Sequence, residues 1–228
     1  MFENVANFNG QRPMIDIDDA VMVLIDPQSG LFQLVEDMPR THLRTHVVGL
    51  AKTAKQAGIP AITTASVPQG PNGPLIPEIK EILPDITYIP RRGEINAWEV
   101  PEFREAIAKT GRKTLIMSGT VTSVCLALPA ISAVADGYKV FAVVDASGTY
   151  SKMAEEIALA RMVQAGVVPV DTSMVTAELQ KTWHREDDLV WADIFSHSFL
   201  AYRELMESYA RTVEAVKKDE PWDSRRDD

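Results

Sequence analysis

The chain of 228 residues is long enough to bury one sizeable core, and its 46% hydrophobic and 24% charged residues are those of an ordinary globular domain, which excludes a wholly disordered chain. A formal net charge of −9 repels phosphate backbones and anionic membrane surfaces, so nucleic acid and membrane are poor partners and a small molecule is the expected one. One cysteine excludes an internal disulfide and a thiolate zinc cluster.

In chain order, residues 1–13 read as an N-terminal extension with neither the basic flank nor the apolar run of a secretory signal, and a cytoplasmic location is expected. Short apolar, β-branched runs then alternate with amphipathic stretches, the pattern of βαβ units around a parallel sheet. The strands are expected at 20–26 (AVMVLID), 60–65, 87–90, 113–119, 139–145 and 167–172. Helices are expected at 41–57, 101–109, 123–136, 153–165 and 175–185, with Gly58, Gly111, Gly137 and Gly166 as C-terminal stops. Segment 66–77 (SVPQGPNGPLIP) reads as a ligand-facing loop. Phe199, Tyr202, Leu205, Met206, Tyr209 and Val213 recur at helical spacing, so 199–217 is expected to be an amphipathic, oligomer-packing helix beyond a core domain of 14–198, with 218–228 a charged tail.

In a doubly wound sheet, ligands sit beyond the carboxyl ends of the strands. Asp26 ends the first expected strand, and Cys125 lies just beyond the fourth at the start of a helix, where N–H groups and the helix dipole favour a thiolate. The residues alone leave open that Cys125 is a small core hydrophobe and that Asp26-Pro27 begins a turn.

The stretches VLIDPQSGLF, RRGEINAWEVPEF, SGTVTSVCLALPAISAVADGYKVFAVVDASGTY and ARMVQAGV, in that order, resemble the isochorismatase-like cysteine hydrolase family, most closely its YcaC-type subgroup, from about residue 14 to 210. The resemblance implies a three-layer α/β/α sandwich with a six-stranded parallel sheet and a catalytic trio falling on Asp26, Arg91 and Cys125. A one-residue slip would exchange Arg91 for Arg92. It also implies a cis peptide between Val121 and Thr122 that turns N–H groups toward the nucleophile as an oxyanion hole, where the residues alone allow an ordinary strand-to-helix turn, and a homo-oligomer, often an octamer. The apolar segment Ile95, Asn96 and Trp98, and likewise Phe32, suits the wall of a small-substrate pocket, with loop packing as the open alternative.

In that reading the thiolate attacks an amide-like carbon while the carboxylate takes and returns the proton. Free Asp and Cys differ by ~4.6 pKa units, about 6 kcal/mol against the transfer, so the site must close that gap; helix-end donors and Arg91 are expected to lower the thiol. Arginine cannot shuttle a proton and supplies only fixed charge and a planar fork. No metal or cofactor is expected: the segment TTASVPQGPNGP lacks the His, Asp or Glu with which metal-binding relatives hold an ion, and His42 and His46, one turn apart, lack the Glu of a zinc-protease motif. The leading expectation is a metal-independent cysteine hydrolase acting on a C–N bond of a small amide. The alternatives are a vinyl-ether hydrolase of the isochorismatase type, against which Cys125 argues, and a non-catalytic oligomeric thiol sensor.

Overall fold

The computed structural model describes residues 12–218; most of the expected N-terminal extension and all but the first residue of the expected charged tail lie outside the described residues. Six strands, β1 (Ala20–Ile25), β2 (Ala61–Ser66), β3 (Thr87–Arg91), β4 (Thr114–Gly119), β5 (Lys139–Val143) and β6 (Val168–Val170), form one sheet in the order β3-β2-β1-β4-β5-β6. Every pairing is parallel. Eight α-helices connect and extend them: α1 (Arg40–Ala57), α2 (Pro77–Ile82), α3 (Pro101–Lys109), α4 (Ala127–Ala135), α5 (Lys152–Gln164), α6 (Thr172–Gln180), α7 (Asp188–Ser198) and α8 (Leu200–Lys217).

The period-two alternation of strand side chains divides the core into two layers. Ala20, Met22, Leu24, Ile116, Phe141 and Val143 pack against α1, α6 and α7 through Leu43, Val47, Leu50, Val175, Leu179, Trp191 and Ile194. Val21, Val23, Ile25, Leu115, Met117, Val140 and Ala142 face the other way, toward α3, α4 and α5, and meet Phe103, Ile107, Ala130, Ala133, Ala158 and Met162. This is the three-layer α/β/α sandwich expected from the sequence. At ~25 cal/mol per Å² of apolar surface, two such layers supply the main driving force of folding.

Element boundaries differ from expectation where a local rule intervenes. β1 stops at Ile25 because Asp26 takes φ of 54°. The helix expected at 175–185 begins at Thr172, where the Asp171 carboxylate caps the Met174 N–H at 2.7 Å, and stops where Lys181 turns to φ of 65°. The segment expected as a loop from 66 to 77 ends in α2, which carries Pro77 in its first turn. α7 was not expected at all, although it buries Trp191, Ile194 and Phe195. The amphipathic helix expected over 199–217 is α8, and none of its 18 residues is buried.

Candidate active site

The strand order reverses between β1 and β4, which opens a crevice beyond their carboxyl ends. Asp26 follows β1 there, Arg91 ends β3, and the turn that carries Cys125 follows β4.

Asp26 is fully buried, with its backbone in the left-handed region that L-residues other than Gly, Asn and Asp rarely occupy. Its N–H donates to Thr64 O at 3.0 Å, and the bend lifts the carboxylate out of the strand line toward the neighbouring strands. Arg91 is 4% exposed and donates from Nη2 to both Asp26 oxygens. The remaining guanidinium donors are also occupied: Nε by Thr64 Oγ1 at 3.1 Å and Nη1 by the carbonyls of Glu94 at 2.5 Å and Ile95 at 3.2 Å. Arg92, by contrast, is exposed. The basic residue brought to Asp26 is therefore Arg91.

The path from β4 into α4 is not the continuous helix expected over 123–136. Thr122–Leu126 form a wide π-helical turn, in which the N–H groups of Val124, Cys125 and Leu126 all converge on Val121 O, at 3.1, 2.8 and 3.4 Å. Pro129 explains part of this, since it has no N–H to donate to Cys125 O, its acceptor four residues back in a regular helix. Gly119 explains another part: a Cβ there would stand 2.8 Å from Leu126 N and 2.9 Å from the Cys125 carbonyl. Only glycine lets the turn come so close to the end of β4.

The loop after β5 latches this turn. Thr122 donates its N–H to Gly148 O at 3.0 Å and its hydroxyl to Ser147 O. Ser147 is fully buried, and its hydroxyl receives the Gly119 N–H at 3.0 Å while donating to Val143 O at 2.7 Å. The cis peptide lies at Thr120–Val121, one bond earlier than the expected Val121–Thr122. The Val121 N–H faces the Cys125 sulfur. Because the Thr122 N–H is already bonded to the loop carbonyl, it is not a free oxyanion donor, and the expectation for Thr122 is corrected to that of a latch.

Cys125 is half-buried, and its thiol hydrogen-bonds to the Asp26 carboxylate. The electrostatics run opposite to the expected lowering of the thiol. Burial first, and the adjacent Asp26 carboxylate second, push the Cys125 thiol well above the ordinary cysteine range, while Arg91 and the Val121 N–H pull it back only in part. Burial also raises the Asp26 carboxyl, against the opposing charge and hydrogen bond of Arg91, the bond from Cys125 and that from the Ser66 backbone. Arg91 spends its charge on Asp26, so the resting site is a neutral thiol on an arginine-paired carboxylate. The two shifts bring carboxyl up and leave the proton on sulfur until a substrate arrives.

The residues expected to wall a pocket each have defined anchors. Phe32 is 6% exposed and belongs to the core layer with α1. Trp98 is 5% exposed, packs edge-on against Phe103 and Tyr138, and donates its indole N–H to Asp136 at 2.7 Å, toward the far end of α4. Asn96 accepts the Trp98 N–H at 3.0 Å and donates to Ser132 Oγ on α4 at 3.1 Å, while Ile95 is 64% exposed. This segment holds Arg91 by its carbonyls and anchors to α4. Residues with site roles that the sequence reading passed over are Gly119, Ser147 and Gln28. Gln28 is fully buried and clamps the loop after β2, receiving the Ser66 N–H at 2.9 Å and donating to Ser66 O at 3.1 Å and Gly73 O at 2.5 Å. Its signal was the amide placed two residues after Asp26.

Among the described residues, no group of three or more His, Cys, Asp or Glu could hold a metal ion, and no helix is long and apolar enough to cross a membrane.

Residues 20–174 match the family described as Isochorismatase domain. The probable hydrolase YcaC of Escherichia coli (strain K12) is 43% identical over 195 residues, 86% of this chain and 93% of that protein. Its crystal structure, an octameric hydrolase of unknown specificity, superposes with a TM-score of 0.84 over 87% of this chain and 97% of that one. YcaC from Pseudomonas aeruginosa, solved with hexane-2,5-diol and covalent acrylamide, is 40% identical with the same TM-score over 86% and 97% of the two chains. The fold, the matched domain and these relatives together establish that the chain belongs to the isochorismatase family, as a hydrolase of the YcaC type.

Proposed function

We propose that this chain is a metal-independent cysteine hydrolase that cleaves a C–N bond in a small amide-like substrate, with Cys125 as nucleophile, Asp26 as proton carrier and Arg91 as fixed charge. The observation that carries this reading is the thiol of Cys125 hydrogen-bonded to a buried carboxylate whose cationic partner, Arg91, is saturated with acceptors. As sulfur attacks the amide carbon, the thiol proton passes to Asp26 and an oxyanion forms, which the Val121 N–H facing the sulfur is placed to receive. Asp26 then gives the proton to the departing nitrogen, which leaves a thioester on Cys125. Water, deprotonated by Asp26, attacks the thioester; the acid leaves, and the proton returns to sulfur. Arg91 stays charged throughout and opposes the burial that raises the Asp26 carboxyl.

A raised thiol argues against the oxidant-sensing alternative, because oxidation proceeds through an exposed thiolate. The Pseudomonas aeruginosa relative holds covalent acrylamide, which captures nucleophiles at its alkene carbon, and this supports a nucleophilic group in that protein. We further propose a homo-oligomer, as in the octameric relative, in which α8 packs on another subunit, because an 18-residue amphipathic helix with no buried residue has its apolar stripe in water otherwise. The test of the reaction is a screen of small primary amides with the purified full chain and its Cys125→Ala variant: ammonia release by the first and none by the second is expected. Equal release by both would refute the nucleophile.

A further inference from the structure

The corner where α7 turns into α8 carries a cavity of about 560 Å³ against α1, lined by none of Asp26, Arg91 and Cys125. Its lining includes His46 of α1, His197 and Ser198 of α7, and Leu200, Ala201 and Arg203 of α8, with His42 at the rim. No carboxylate lines it, although the chain holds 32 acidic residues against 23 Lys and Arg.

Three independent features make it a place for negative charge. First, α8 starts without a side-chain cap and without an acidic residue in its first turn. The Tyr202 and Arg203 N–H groups donate to Phe199 O, whereas those of Leu200 and Ala201 have no backbone acceptor among the described residues. Second, Ser198 is 94% buried, being 6% exposed, and its hydroxyl has no partner; it stands over Gly49, where α1 presents no side chain. Third, His197 Nε2 is buried without a partner. Burial, and then the Lys52 and Arg203 charges, hold the His197 ring below its ordinary pKa, with Asp193 and the Thr45 backbone opposing; the ring is therefore neutral near pH 7. Arg203 is half-committed, with Nε on Ser196 O at 3.2 Å and its Nη groups left over. His46 Nδ1 faces Asp145 Oδ2 at 2.6 Å, off the line of a directed hydrogen bond, so its charge partner sits on the sheet side.

We infer that this cavity binds a phosphate group, free or carried on a small molecule, between the Leu200 and Ala201 N–H groups, the Ser198 hydroxyl, Arg203 and a His197 that takes up a proton on binding. Helix N-termini with an adjacent arginine favour tetrahedral oxyanions over water. An unpartnered buried hydroxyl is a cost that such a ligand removes.

The full-length protein should be titrated with inorganic phosphate and, separately, with glycerol 1-phosphate, each against chloride at matched ionic strength, while the His197 ring proton is followed by NMR. Phosphate should raise the His197 titration midpoint by about one unit, as a nearby anion does, and chloride should not. Tighter binding of the monoester assigns the site to a phosphorylated molecule; equal or tighter binding of free phosphate assigns it to the ion. Arg203→Gln should weaken binding at least ~10-fold, the loss of a charge-assisted hydrogen bond, while Lys109→Gln, at an exposed position of α3, should not change it. The inference is overturned if phosphate moves His197 no more than chloride does, or if Lys109→Gln weakens binding as much as Arg203→Gln. Should Arg203→Gln fail to fold, the His197 titration in the unaltered protein decides alone.

Discussion

The crevice beyond β1 and β4 and the helix α8 are opposite solutions to the placement of side chains. In the crevice, charged and polar groups are buried and each is matched: Asp26 by Arg91 and Cys125, Arg91 by Thr64, Glu94 and Ile95, Thr122 by Ser147 and Gly148. In α8, Leu205, Tyr209 and Val216 are at least 57% exposed and no residue is buried. The sheet end is completed within one chain, since a buried ion pair survives only where every donor and acceptor is satisfied. The proposed complement of the helix is another subunit. Function and assembly should therefore separate under mutation.

The largest effect is expected in the crevice. Asp26→Asn should lower hydrolysis by at least ~10³-fold, because the proton carrier is lost, yet alkylate faster at Cys125, because the negative charge that raises the thiol is gone. Steady-state kinetics and iodoacetamide labelling read the two sides, and a parallel fall in both would break the contrast with a merely structural aspartate.

Next is Arg91→Gln, which strands a buried carboxylate and should cost about 3–5 kcal/mol at neutral pH. The sign follows from Asp26. Its folded pKa is already raised by burial and rises further without Arg91, so the contribution is fully present below the ordinary carboxylate pKa and is lost as pH rises through the folded one. Denaturation of the variant should thus show recovery toward the unaltered protein as pH falls to about 4. A pH-independent loss would mean that packing, not charge, is what Arg91 supplies.

For α8, removal after residue 198 should leave a core that still unfolds cooperatively, with a far-UV helix signal smaller by the 18 residues of α8, while reducing the mass seen by light scattering. Smaller still, Thr122→Val removes one latch hydrogen bond and should cost about 1 kcal/mol, with a fall in kcat rather than a rise in KM because the turn, not the substrate, is loosened. Arg92→Ala should sit within ±0.5 kcal/mol, as exposed positions do.

How far the sequence already showed this contrast depends on what each feature needs. The six strands were legible because β-branched apolar runs between glycine stops leave little choice of phase. α7 was not read, though Trp191, Ile194 and Phe195 have helical spacing, because acidic residues at its start resemble a solvent loop. Asp26 and Cys125 were legible as candidates from their places after the first and fourth strands, Arg91 only through resemblance, and it is Arg91, not the exposed Arg92, that the fold brings to Asp26. The direction of the thiol shift was illegible: it depends on how near the carboxylate of β1 comes to the turn after β4, and on how completely Arg91 is spent. The anchoring of Trp98 and Asn96 was illegible for the same reason, since Asp136 and Ser132, their partners, lie 38 and 36 residues away in sequence.

The most direct test of the Asp26–Cys125 pairing is the pH dependence of Cys125 alkylation, measured in the intact full chain, in urea-unfolded protein and in Asp26→Asn. The account predicts a folded thiol that titrates above ~8.5, higher than the unfolded one, and moves down in Asp26→Asn. A folded thiol titrating at or below the unfolded value, unmoved by Asp26→Asn, would contradict it.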